Sequence, residues 1–442
     1  MKCYWEIVPG TRCNLKCRTC YAADNARPDL RQLSWKLMKS ALDNAVELGV
    51  KEIDILGGEP LLYPHLDKFV NHFKKRVPDG FCGIVSNGVL LTRDRAKTLH
   101  DSGLSQITIS LDGTSPQIND ANRGNGSFQT ALAGIENART TGIPLTISYT
   151  VTPFNITDTS NLLPFIEQIG AHALGIQITE MVGRAKKTLV NYSLFNRLEG
   201  LKAICRVYQT RPSFQVEVLT QSLFKDFLNH FFNAGLGFPV IRCNGGQKSF
   251  MVSSGGDLFP CSQYAYSPEG ETVNLGINLA TGDLKSIKEF VAKHYRRFNN
   301  EMVELETNQF TTCQKCEYRA ICAPCPLVNP RGVVPECEWV KTQTKVLNKQ
   351  ILDSKAGLLT EPVAVDDDKI SFNVSTQSEP IVVPMSKKEF MSLMTLPTVA
   401  KIVQRIQSSG NDKNAKKLTI EFLCKLRSHQ VIKIAAIDTF LS

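Results

Sequence analysis

The chain lacks any apolar run near the roughly 18 residues that a membrane-spanning helix needs. Its first stretch, "MKCYWEIVPG", carries Glu6 and Pro9 where a secretion signal requires an unbroken apolar core. The expectation is a cytoplasmic protein with no membrane partner. Charge-rich low-complexity tracts and internal repeats are also missing, which argues against a disordered tail protein and against a solenoid. What remains, 442 residues that are 42% hydrophobic, is enough for two or three globular domains.

Cysteine, by contrast, is plentiful, at 14 residues. In a reducing compartment such a count is read first as metal ligation rather than as a disulfide framework. The thiols fall into three sets. Cys13, Cys17 and Cys20 are crowded into "TRCNLKCRTCY". Cys243, Cys261, Cys313, Cys316, Cys322, Cys325 and Cys337 form a second group, and Cys3, Cys82, Cys205 and Cys424 are scattered. The scattered four read as small buried hydrophobes.

Up to about residue 179, short apolar runs alternate with helical patterns, as in a parallel α/β sheet. The strand candidates are "CYWEIVP", "EIDILGG", "FCGIVSNG", "QITISLDG", "PLTISYTV" and "ALGIQIT". Residues 34–48 illustrate the helices between them, with Leu37, Ala41, Ala45 and Leu48 at helical spacing behind the N-cap candidate Ser34. Six such units make a partial (β/α)6 TIM-like barrel, whose chemistry gathers in the loops at the C-terminal strand ends. The triplet lies in the first of those loops.

Three thiolates can hold three irons of a [4Fe–4S] cube and leave the fourth iron open to an exogenous ligand. Structural zinc is the rival reading, but it needs four ligands, and no fourth Cys or His lies near Cys20. The C-x3-C-x2-C spacing, followed by the aromatic Tyr21 in the loop after the first strand, resembles the radical S-adenosylmethionine (SAM) superfamily. That resemblance implies that SAM chelates the open iron and that its reductive cleavage yields a 5′-deoxyadenosyl radical. Further motifs fall in the expected order. "GGEP" (Gly57, Gly58, Glu59, Pro60) follows the second strand, where Glu59 is expected to receive the methionine ammonium. "SNG" with Asn87 and "SLDG" with Ser110 and Asp112 end the third and fourth strands. "NRGNGSF" with Arg123 and "MVGRA" with Arg184, the latter expected to neutralise the cofactor carboxylate, complete the expected cofactor contacts, a surface salt bridge being the alternative for either arginine. No catalytic acid or base can be assigned.

The second cysteine group reads C-x12-G-x4-C, a gap, C-x2-C-x5-C-x2-C, a gap, and C, which resembles the SPASM auxiliary-cluster extension. One departure is "CAPC", a residue shorter than the family's usual C-x3-C. The resemblance implies two auxiliary [4Fe–4S] clusters. Cys313, Cys316, Cys322 and Cys337 would hold the outer one, and Cys243, Cys261 and Cys325 an inner one that is a ligand short. A pair of zinc ribbons shares these spacings and is the structural alternative. The formal charge is +9. Ten thiolates on three clusters of about +2 each would lower it by about four, leaving only a modest basic surplus.

Domain expectations follow: a partial barrel at 1–190, a helical bridge at 191–239, a SPASM domain at 240–350, a linker near 353–368 and a small C-terminal winged-helix-like α+β domain at 365–442. The last is read as strand, strand, three helices and strand, an order similar to peptide-binding modules of natural-product pathways. A precursor peptide with a leader is therefore an expected partner, held by strand addition and by the basic Lys413, Lys416, Lys417, Lys425 and Arg427. A flavodoxin or ferredoxin is the expected reductant. Nucleic acid is disfavoured, because the charges are few and no base-reading motif is present. The leading expectation is a peptide maturase that installs a crosslink or excises backbone. The alternatives are an anaerobic sulfatase-maturase type of enzyme and a non-enzymatic iron–sulfur regulator.

Overall fold

Alternating apolar residues along six short segments build the central sheet. The computed structural model describes residues 3–22, 32–180, 183–190, 194–208, 212–219, 222–237, 249–265, 277–293, 311–316, 335–353, 356–358, 363–366, 369–372, 381–383, 385, 387–394, 398–399, 401–404, 415–428, 432–434, 436–437 and 440. Cys243, Cys322, Cys325 and Lys413 lie outside the described residues, as do the side chains of Cys3, Lys416 and Lys417. Two units divide the chain, one of Met1–Asp158, Pro164–Ser193 and Val240–Val333, the other of Thr159–Leu163, Leu194–Pro239 and Val334–Ser442.

In the first unit, β1 (Cys3–Ile7), β2 (Val50–Ile55), β3 (Phe81–Ser86), β4 (Gln106–Ser110), β5 (Leu145–Val151) and β6 (Ala173–Ile178) lie side by side in chain order. Every neighbouring pair is parallel. All six strands are those the sequence pattern marks. The sheet is open, as in a partial barrel. One face is apolar and fully buried, with Ile53, Ile55, Ile84, Ile107 and Ile109 at 1% exposure or less. The other face carries half-buried polar groups such as Glu6, Asp54, Thr108 and Ser148. Side chains alternate with a period of two, so each strand serves a core with one face and a polar interior with the other.

Helices α1 (Trp35–Glu47), α2 (Leu66–Arg76), α3 (Arg93–Asp101), α4 (Pro116–Arg123) and α5 (Ser127–Thr141) connect the strands up to β5. Ser34 caps α1 by accepting a hydrogen bond from the Leu37 amide at 3.4 Å. The buried stripe of α1 is Met38, Ala41, Leu42 and Ala45, so Leu37 and Leu48 sit at its margins rather than in its centre.

Gln215–Leu219, in the second unit, is a strand within the stretch expected to be a helical bridge. In the first unit two further strands escape the sequence pattern. β7 (Ser249–Val252) pairs in parallel with β1, and β8 (Leu258–Phe259) returns antiparallel to β7. Their apolar runs are too short to show periodicity. Trp5 of β1 packs on Phe250 with ring centroids 5.1 Å apart. Residues 249–259 of the cysteine-rich segment are therefore fixed to β1, and Asn44 of α1 donates to the Leu279 carbonyl at 2.8 Å.

In the second unit, Phe227 on the helix Ser222–Phe232 is the hub of an aromatic cluster. Its ring lies 4.9 Å from that of Phe231 and 6.1 Å from those of Trp339 and Phe440. The helix Ala415–Ser428 packs on the same Ser222–Phe232 helix. Strands Val363–Asp366, Lys369–Phe372 and Ile381–Val383 form an antiparallel sheet in that order, followed by the helix Lys387–Met394. The last strand, Ile432–Ile434, pairs with Ala356–Leu358 in a separate ribbon. Part of the stretch read as a linker is thus strand. Arg427 is 7% exposed, so it belongs to the interior and not to a basic outer face, whereas Lys425 is exposed. Among the described residues no helix is long and apolar enough to cross a membrane.

Gly134 of α5 lies against the carbonyl oxygen of Gly88, directly after β3, leaving no space for a Cβ. Gly→Ala inside a helix ordinarily stabilises by about 1 kcal/mol. Here Gly134→Ala is expected to destabilise by about 1–3 kcal/mol, because a backbone atom cannot move aside. Urea denaturation of the full chain measures the sign.

Candidate active site

The loop after β1 carries the cysteine triplet, and the ends of β2, β3, β4 and β6 hold it in place. Against β2 the contact is backbone on backbone. Gly58 N donates to Gly10 O at 3.1 Å and Glu59 N to Arg12 O at 2.8 Å. Gly57 has φ +134, and a Cβ at Gly58 would overlap the carbonyl oxygens of Thr11 and Arg12. Glycine is required at both positions, by conformation at the first and by close approach at the second.

Glu59 is 3% exposed and accepts three hydrogen bonds. Oε1 takes the Ser86 hydroxyl at 2.7 Å and the Leu61 amide at 3.0 Å, and Oε2 takes the Asn87 amide at 2.8 Å. Burial nonetheless raises its pKa above the usual carboxylate range, with these donors opposing the shift. A carboxylate offers about four lone-pair positions, so Oε2 keeps one for a cationic group. Asn87 turns its amide to Asn14 Oδ1 at 2.9 Å and reaches Cys13 Sγ at 3.8 Å.

The three thiols face one another electrostatically. Burial pushes Cys17 up to about 11, with Arg123 opposing and Asp112, Cys20 and Cys13 adding to the rise. Burial likewise raises Cys13, helped by Glu59 and Cys20. Thiols kept neutral in this way become thiolates when a metal supplies positive charge. Three local thiol donors, one short of a structural zinc site, suit a cube in which each thiolate binds its own iron. The residues fit a [4Fe–4S] group.

At the end of β4, Asp112 is 1% exposed and wholly engaged by the protein. Its Oδ1 accepts from Thr150 N at 3.3 Å and its Oδ2 from Asn122 Nδ2 at 2.6 Å. Arg123 Nε lies 2.7 Å from the same Oδ2, but its N–H is not aimed at that oxygen, so the contact is an ion pair rather than a directed hydrogen bond. Asp112 therefore stands behind Arg123. Burial opposes the charge on Arg123, but Asp112 together with Cys17 and Cys20 outweighs it and raises the guanidinium pKa. Ser110 is half-buried beside Ser148 of β5.

After β6, the Arg184 side chain donates to the Cys17 carbonyl at 2.6 Å and its amide to the Cys20 carbonyl at 2.9 Å. Gly183, at φ +54, lies so close to the Cys20 and Tyr21 carbonyls that a Cβ would overlap them. In this geometry Arg184 grips the loop backbone. Tyr21 is 40% exposed.

Sequence reasoning missed the far side of this grip. Asn122 and Thr19 are joined by two hydrogen bonds at 3.1 Å, and nothing in their spacing marks the pair, although Asn122 is the first letter of "NRGNGSF". In the second cysteine group, Cys261, Cys313, Cys316 and Cys337 are half-buried. The scattered Cys82, Cys205 and Cys424 are fully buried, as expected of small core residues. Burial separates ligand candidates from packing residues.

Gly58→Ala is expected to leave the sheet folded but to displace the triplet loop, lowering iron after anaerobic reconstitution by about four atoms per chain. Iron and protein assays on the variant and the wild type check this.

Residues 7–165 match the family described as the Radical SAM superfamily. The AdoMet-dependent heme synthase of Methanosarcina barkeri is 26% identical over 337 residues, covering 73% of this chain and 89% of that protein. The mycofactocin maturase MftC of Mycolicibacterium smegmatis is 28% identical over 265 residues, covering 58% of this chain and 63% of that protein. Among solved structures, Streptococcus suis SuiB bound to S-adenosylmethionine shares the fold with a TM-score of 0.57 at 18% identity, covering 73% of this chain and 72% of SuiB. SuiB has also been solved bound to its precursor peptide SuiA, and that structure superposes with a TM-score of 0.51. The strand-end loops, the triplet and the family match agree: residues 7–165 carry a radical SAM domain.

Proposed function

We propose that this enzyme abstracts a hydrogen atom from a ribosomally made precursor peptide and installs a crosslink or excises backbone. The single observation that carries the reading is the C-terminal order of three antiparallel strands followed by helices, Val363–Asp366 to Ala415–Ser428, which suits strand addition by an extended peptide. Its edge strands are Val363–Asp366 and Ile381–Val383. SuiB with its precursor peptide and the maturase MftC support a peptide substrate. The heme synthase relative supports a second reading, in which the substrate is a porphyrin.

Cys13, Cys17 and Cys20 would hold the [4Fe–4S] cluster, and Cys243, Cys261, Cys313, Cys316, Cys322, Cys325 and Cys337 two auxiliary ones. When bound, the first cluster and SAM supply a 5′-deoxyadenosyl radical. The chain's own part is to orient. Glu59 Oε2 takes the methionine ammonium, Arg123 the carboxylate, and the Gly57–Gly58 backbone lets the cofactor come close. Crosslinking and excision are net oxidations, for which auxiliary clusters held by the second cysteine group would supply an electron acceptor and a flavodoxin or ferredoxin the starting electron.

Two measurements test the reading. The reconstituted, reduced protein is given SAM with the short peptide encoded beside its gene, with that peptide lacking its leader, or with an iron porphyrin. Mass spectrometry is expected to show 5′-deoxyadenosine and a mass change on the leader-bearing peptide only, both abolished by Cys17→Ala. A change on the porphyrin alone selects the second reading.

The other measurement is pH-dependent. Protonated Glu59 cannot pair with an ammonium, so SAM affinity is present above its folded pKa and lost as pH falls through it. Ser86→Ala removes a donor that stabilises the anion. The pKa should rise, and the acid limb of SAM affinity should move to higher pH. An unmoved limb separates Glu59 from the ammonium.

A further inference from the structure

Asn122, at the end of α4, is 2% exposed, and both polar groups of its side chain are engaged. Nδ2 donates to Asp112 Oδ2 at 2.6 Å. Oδ1 accepts from both the amide and the hydroxyl of Thr19, each at 3.1 Å. The Asn122 main-chain carbonyl takes the Arg18 amide at 2.8 Å. Thr19 lies between Cys17 and Cys20, and the next residue after Asn122 is Arg123, ion-paired to the same Asp112 oxygen.

One side chain, 103 positions from Thr19 in sequence, thus joins the loop of cluster thiols to the carboxylate that holds Arg123. A ligand that chelates an iron on the loop and pairs its own carboxylate with Arg123 must bridge these two elements. Its affinity depends on how rigidly they are fixed, because ordering them during binding costs free energy. We infer that Asn122 is a positioning residue that sets the distance between the cluster loop and Arg123, and so tunes how tightly the enzyme holds SAM. The inference rests on the cofactor reading above.

The chemistry of the amide is specific to this task. It needs a donor toward an anion on one side and an acceptor toward two donors on the other. Asn122→Asp keeps the shape but sets a carboxylate against Asp112 Oδ2, and Asn122→Ala removes both connections. Thr19→Val deletes the hydroxyl and keeps the amide, while Thr19→Ser keeps both. A role confined to fold stability would move the melting temperature of these variants and leave cofactor affinity alone.

The test uses full-length wild type, Asn122→Ala, Asn122→Asp, Thr19→Val, Thr19→Ser and the Asn122→Ala/Thr19→Val double variant, each reconstituted anaerobically. Iron content, equilibrium SAM binding and the electron paramagnetic resonance change on adding SAM to the reduced protein are measured. At unchanged iron content, Asn122→Ala and Asn122→Asp should each weaken SAM binding roughly tenfold, the usual cost of losing a group that orients a metal site. Thr19→Val should weaken it less and Thr19→Ser not at all. The double variant should bind no more weakly than Asn122→Ala, since both changes break one link. Wild-type affinity in Asn122→Ala, or additive losses in the double variant, overturns the inference. Should Asn122→Ala fail to take up iron, Thr19→Val decides: weaker binding at full iron loading supports the inference, and unchanged binding defeats it. A wild type that binds no SAM strikes the cofactor reading itself and removes the inference with it.

Discussion

A loop that carries three thiols and almost no apolar side chains has no core of its own, and the site depends on how other elements hold that loop. Main-chain groups in irregular segments need partners as much as those in helices do. Here the carbonyls of Gly10, Arg12, Cys17 and Cys20 are taken by Gly58, Glu59 and Arg184, and Asn122 receives the Arg18 and Thr19 amides. The partners come from the segments after β2 and β6 and from the end of α4. A parallel sheet with crossover helices brings these segments to one side, which is why the thiol loop is held there.

The same constraint explains where glycine and buried charge occur. Gly58 and Gly183 stand where the loop's carbonyls come too close for any side chain. Glu59, Asp112 and Arg123 are charged and nearly enclosed, an arrangement that is costly unless each finds partners. Glu59 has three donors and Asp112 shares one oxygen between an amide and a guanidinium. Charges fixed before the cofactor arrives need no reorganisation when it binds.

Much of this was legible in the residues. Six strands could be read because apolar and polar positions alternate with a period of two over five to seven residues, long enough to register. The cysteine triplet and "GGEP" could be read because their spacing is local. β7, β8 and the strands Ala356–Leu358 and Val363–Asp366 were not read, since runs of two to four residues carry little period, whereas the equally short Lys369–Phe372 and Ile381–Val383 lie inside the longer apolar stretches "KISFNV" and "PIVVPM". Arg427 looked like part of a basic helix face, but the helix Ala415–Ser428 turns it inward.

By itself, then, the sequence determined the alternation that makes a parallel α/β sheet, the loop that bears the thiols and the number of sulfur donors in it. Those are properties of near neighbours, governed by steric periodicity and by ligand count. Only the tertiary structure decided that Arg184 is bonded to the loop's carbonyls, that Asp112 serves Arg123, and that Asn122 meets Thr19 across 103 positions. A hydrogen bond between distant residues leaves no trace in spacing, because its partners are chosen by where the strands end in space and by the requirement that buried polar groups be paired.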